Sequence, residues 1–102
     1  MEKREVFIDQ AESRLKEWHA EVNLLNAKAE RASADVKADV YKRVENIKDM
    51  KQRLETRLEE VKRDTKREWE DLKIGVERAQ HDLRTAIDDL ASLFSGEKSQ
   101  PK

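Results

Sequence analysis

Cysteine is absent from this 102-residue chain, so no disulfide frame, thiol chemistry or thiolate metal site is available to it. Glycine occurs only at Gly75 and Gly96 and proline only at Pro101, which removes the residues that tight turns and hairpins normally use. Strands are therefore not expected anywhere in the chain. Aromatic residues make up 5% and apolar residues 36%, too little for a thick globular core. An excess of one charge sign is lacking too. Lys plus Arg total 22 and Asp plus Glu total 23, whereas generic nucleic-acid binding calls for a basic surplus, so no nucleic-acid partner is expected. No run approaches the roughly 18 apolar residues of a membrane span, and the charged start Met1-Glu2-Lys3-Arg4-Glu5 is not followed by a signal-type apolar segment. A cytoplasmic location is the expectation.

What is abundant is charge, at 44% of residues against about 25% in an average protein. Burying that many ionic groups in a compact core is costly unless each is paired, and a thin apolar seam between helices avoids the cost. Such a seam is present. From Ile8 the apolar positions step by three and four through Ala11, Leu15, Trp18, Val22, Leu25, Ala29, Ala32 and Val36, the spacing of a heptad stripe. A second register runs Val44, Ile47, Lys51, Leu54, Leu58, Val61 and Thr65, and a third runs Trp69, Leu72, Val76, Ala79, Leu83, Ala86, Leu90 and Leu93. The regular stripe argues against disorder, the other state that high charge and low hydropathy describe.

The registers join through successive steps of four, at Val36, Val40 and Val44 and again at Val61, Thr65 and Trp69. Such stutters unwind a supercoil locally without stopping the helix. The expectation is all-α: a long, near-continuous, self-associating coiled-coil rod over 1–95, roughly 140 Å if unbroken, followed by a flexible polar tail over 96–102. Helix is predicted from about Lys3 to Phe94, with Gly96 at a C-terminal cap. The alternative is an antiparallel helical hairpin bending near 33–40 or 63–68. Ser33 or Asp35 could cap a new helix at the first bend, and Thr65-Lys66-Arg67-Glu68 has the form of a capping box at the second. Neither join contains Gly or Pro, which favours the rod.

Acids four residues before bases, Glu12 and Lys16, Asp39 and Arg43, Asp49 and Arg53, and Glu59 and Arg63, support the same helix by a few tenths of a kcal/mol each. They read as solvated faces. Trp18 and Trp69 lie on the seam and read as hole-filling residues; Lys51 and Thr65 are its polar members and read as selectors of register or oligomer number. His19 and His81 have no second His or Cys at ligand spacing, and Glu77 with His81 reads as an exposed ion pair. No nucleophile has the His and acid partners that would activate it, and no phosphate-cradling glycine loop occurs. No catalytic, cofactor-binding or metal residue is assigned. The C-terminal third is the most apolar, because Ile87 and Phe94 widen the stripe. Those residues either present a face to a protein or lipid partner or, the preferred reading, cover a bundle of more than two helices.

Residues in this pattern carry a resemblance. Trp18 followed by Glu21, the Ala-Lys-Ala run Ala27 to Ala29, Ala34-Asp35, Tyr41, the stretch Trp69-Glu70-Asp71-Leu72-Lys73 with Gly75-Val76-Glu77, and the ending Ala91-Ser92 with Phe94 resemble a family of small bacterial coiled-coil stress-response proteins, found in cyanobacteria and proteobacteria. Where members of that family often have Ser-Gly-Asp before the second Trp, this chain has Asp64-Thr65-Lys66-Arg67-Glu68, which makes a sharp break there less expected. The resemblance implies a cytoplasmic, non-enzymatic protein linked to stress. It carries over no site residues. The functional expectation is a structural or interaction protein that works through homo-oligomers and protein partners. The alternatives are an amphipathic lipid-surface binder, for which the acids on the polar face are unfavourable, and a desiccation-type protectant.

Overall fold

A computed structural model describes residues 3–65 and 68–98, with side chains up to Phe94. The chain forms three helices, α1 over Lys3–Ala29, α2 over Ala34–Arg63 and α3 over Trp69–Lys98, and no strand occurs among the described residues. The all-α expectation holds, but the near-continuous rod does not. The chain reverses twice, at 30–33 just before the first stutter, which α2 runs through unbroken, and after Arg63 within the second, and its extents are 55 × 23 × 18 Å.

Contacts between helices fix the direction of each. Arg4 reaches Asp64, Glu12 reaches Lys62 and His19 reaches Lys51, so α1 and α2 run antiparallel. Phe7 meets Trp69 and Arg14 meets Gln80, so α1 and α3 run parallel. The result is an up-down-up bundle whose seams face one another instead of another chain. It is one step beyond the single-bend hairpin, since both predicted bends are used.

The first turn is built largely from local chemistry. Glu30, Arg31 and Ala32 donate their backbone N–H groups to the carbonyls three residues back at 3.2, 3.1 and 3.0 Å, tightening the end of α1. Ser33 then takes an extended conformation and its hydroxyl accepts from the Val36 N–H at 3.4 Å, an N-cap that satisfies one of the donors exposed at a helix start. Tyr41 donates its hydroxyl to Glu30, and Lys37 pairs with the same carboxylate at 3.6 Å, which pins the turn to the opening of α2. The Tyr41 bond, and then the Lys37 charge, hold the Glu30 carboxyl below its ordinary range.

A long-range contact marks the second turn. Asp64 leaves the helix in an extended conformation, its N–H reaching back to the Val61 carbonyl at 3.4 Å. The Asp64 carbonyl accepts from Arg4 Nη1 at 2.6 Å, and the same guanidinium nitrogen lies 3.9 Å from the Asp64 carboxylate. Thus the first turn of α1 closes the end of α2. Thr65 is exposed and non-helical, so it is not a seam residue. The proposed Thr65–Glu68 capping box includes Lys66 and Arg67, which lie outside the described residues. The first bonds of α3 instead converge on the Glu68 carbonyl, from the N–H groups of Asp71 and Leu72 at 2.9 and 3.1 Å. At its other end α3 runs through Gly96 to Lys98, beyond the predicted stop at Phe94. Of the predicted tail, 99–102 lie outside the described residues.

One continuous core fills the bundle. Leu15, Leu25, Val44, Ile47, Leu54, Leu58, Val61, Val76, Leu83 and Leu90 are buried in it, and Ile8, Trp18, Val22, Val36, Trp69, Leu72 and Leu93 pack against it half-buried. Apart from Ala32, Lys51 and Thr65, the residues of the predicted seam therefore lie on this internal core. Each exposed heptad stripe, which alone in water would demand a partner, is shielded by the other two.

Candidate functional site

The helices do not seal that core equally. Every large side chain less than 2% exposed belongs to α2 or α3: Leu54, Leu83, Ile87, Leu90, Val40, Val61 and Val76. Helix α1 buries only Ala11, Leu15, Leu25 and Ala29, two of them alanines. Its middle is held by Trp18 and Val22, both half-buried. The cause is legible in side-chain size, because two alanines on the inner face of α1 present little surface for the hairpin to grip.

A cleft with a cavity of about 260 Å³ lies between α1 and α2 at this level. Leu15, Trp18 and Val22 form one wall, Val44 and Ile47 the other, and Leu83 and Ile87 of α3 lie beneath. Polar groups ring it: His19, Asn23 and Asn26 from α1, and Lys48 and Lys51 from α2. Lys51 Nζ lies 3.0 Å from His19 Nδ1. An ammonium can only donate, so Nδ1 is the acceptor and the imidazole proton sits on Nε2. Lys51, expected to be a polar member of the seam that selects register, thus lines the cleft half-buried and meets α1 through His19.

Among the described residues no carboxylate lines this cleft, in a chain with 23 Asp and Glu. Four other clefts each carry at least two, such as Asp71 and Asp82 beside Gly75, or Glu12, Glu55 and Glu59 farther along the α1–α2 groove. Among the described residues Lys51 forms no ion pair, and Lys48 pairs only with Glu45 at 3.6 Å, both side chains being well exposed.

Elsewhere the expectations are met unevenly. Asp39 with Arg43, Asp49 with Arg53, and Glu59 with Arg63 form their pairs at 3.8, 3.0 and 3.8 Å. Glu12 turns away from Lys16 and pairs across the helices with Lys62. Glu77 and His81 are both exposed and form no ion pair with each other. Ile87 and Phe94 are buried, so the widened stripe of the C-terminal third is consumed by the bundle; Ile74 stays half exposed, at 50%. Trp69 does not fill a hole between identical layers. It packs on Phe7 at 6.1 Å between ring centroids, with Lys73 Nζ over both rings at 5.6 and 5.7 Å. Phe7 was not assigned to the seam, although it stands four residues before Ala11 and so continues the inner face of α1. The cleft itself was missed, since only the fold brings Lys48 and Lys51 against His19.

Among the described residues no three of His, Asp and Glu are grouped so as to hold a metal ion, and no helix is long and apolar enough to cross a membrane. No family model, curated protein or solved structure matches the chain.

Proposed function

We propose that the chain is a non-enzymatic interaction protein, stress-associated as its resemblance implies, that engages other helices, including those of further copies, by exchanging α1. The observation that supports this is the unequal sealing of the core. The α2–α3 hairpin holds all the tightly buried large side chains, while α1 lies over a cleft with Trp18 and Val22 only half covered. A helix held in this way is the element with the least to lose on leaving, and local opening draws on such low-stability segments. Once it leaves, its Leu15, Trp18, Val22 and Leu25 stripe and the exposed groove of the hairpin each need a helix to cover them. A second copy offers an identical one, the basis of domain exchange.

A labelled peptide of residues 3–29 added to the full chain tests the reading. Saturable uptake, weakened when the peptide carries Leu15→Asp, together with mass that rises with concentration in sedimentation, is the expected result. Failure of the peptide to bind, with a single monomeric mass from micromolar to millimolar concentration, overturns it.

A further inference from the structure

The α1–α2 cleft joins three properties that occur together nowhere else among the clefts described: an apolar interior, a basic rim and a lining free of carboxylates. The interior is made by Trp18, Ile47, Leu83 and Ile87. At about 260 Å³ it exceeds the roughly 150 Å³ that suffices for a benzene molecule in an apolar protein cavity. A single ring with a short substituent, or a short acyl chain, fills it. A protein helix is too large for a cavity of this size, although one anchoring side chain is not.

The rim selects charge. Lys51 has a neutral imidazole as its polar partner where a carboxylate would ordinarily stand, and Lys48 adds a second ammonium one turn away. Asn23 and Asn26 add amide donors without negative charge. An anion placed here gains a charge-assisted hydrogen bond from Lys51 and meets no lining acid to repel it. A cation is repelled by the two ammonium groups.

We propose that this cleft binds a small amphipathic carboxylate, with its apolar body over Leu83 and Ile87 and its acid group at Lys51. The site belongs to the closed bundle and is independent of whether α1 exchanges.

Octanoate, octanol and octylammonium, titrated into the wild-type protein and followed by NMR through the indole N–H signals, separate the contributions. Trp69→Phe assigns the two indoles. Octanoate is expected to move the Trp18 signal saturably and leave that of Trp69 in place. It should bind about tenfold more tightly than octanol, the fold-change one charge-assisted bond supplies, and octylammonium should bind more weakly than either. Lys51→Met, its fold verified by circular dichroism, should remove the advantage of octanoate while leaving octanol binding unchanged. Equal binding of octanoate and octanol, preferential binding of octylammonium, a Lys51→Met protein that keeps the preference, or no saturation by octanoate below its micelle concentration each overturns the proposal. Calorimetry on the unaltered chain gives the same ranking without any substitution.

Discussion

Leu54 on α2 is completely sealed, while Trp18 on α1, a larger side chain placed by the same three-four spacing, is left half-buried beside a cavity. The stripes are alike as patterns and unlike as surfaces. Along α2 the inner positions are Val40, Val44, Ile47, Leu54, Leu58 and Val61, all branched and of similar size, which interdigitate with the matching residues of α3. Along α1 the inner face begins and ends on small residues, Ala11 and Ala29, with Leu15, Trp18, Val22 and Leu25 between them, so its contour is uneven. Periodicity tells which face turns inward, and volume tells how firmly it is held.

The largest effect expected from this contrast is on core truncation. Leu54→Ala should cost about 2–5 kcal/mol, because a fully enclosed site relaxes little. Trp18→Ala removes more atoms but opens onto an existing cleft, and should cost only about 1–2 kcal/mol. Urea unfolding of the two variants measures both. If Trp18→Ala proves as damaging as Leu54→Ala, α1 is as integral to the core as the hairpin.

Next in size is the joint between the two regions. Ser33→Ala removes the acceptor for the Val36 N–H and should destabilise by about 0.5–1 kcal/mol, the lower part of the range for N-caps, since the bond is long at 3.4 Å and exposed. Thermal unfolding reads it. Gly75→Ala should act within the hairpin and in the opposite direction. A Cβ there would come 3.2 Å from Arg57 Nη1 and 3.4 Å from its Cδ, at the far end of a flexible side chain that can swing aside. Replacing a mid-helix glycine then stabilises α3 by roughly 0.5–1 kcal/mol. A loss of stability instead would mean that the Arg57 side chain is fixed against the backbone of α3.

The smallest effect concerns the ionic link from α1 to α2. The hydrogen bond with Glu12 holds the Lys62 ammonium above its ordinary 10.5; burial, the next largest influence, opposes it, and the Glu12 and Glu59 charges add to the rise. A pKa raised by folding contributes stability that is fully present below the unfolded value and lost as pH rises through the folded one. The unfolding midpoint should therefore show a small alkaline decline beyond pH 10.5 that Lys62→Met removes. An unchanged profile in Lys62→Met would show that the link contributes nothing to holding α1 down.

The two turns differ in how far they can be read in advance. Ser33 lies at the predicted bend and caps it through a neighbour three residues away, which is why local sequence sufficed there. The break after Arg63 has no glycine and no proline to announce it. It is closed by Arg4, sixty residues distant, bonding to the Asp64 carbonyl. No local pattern announces such a contact. The cleft was hidden for the same reason: His19 and Lys51 stand 32 positions apart, across the first turn, before the fold brings them to 3.0 Å. Phe7, by contrast, had a visible signal in its spacing to Ala11.

By itself the sequence determined that the backbone is helical and which side of each helix avoids water, because both follow from spacing and composition within a few residues of any position. Whether that apolar side meets another molecule or its own chain was left open, since a heptad stripe specifies only that it must be covered. The tertiary structure decided it. Two reversals, one held by a nearby serine and one by a distant arginine, bring the three stripes together, and the cleft exists only where they meet.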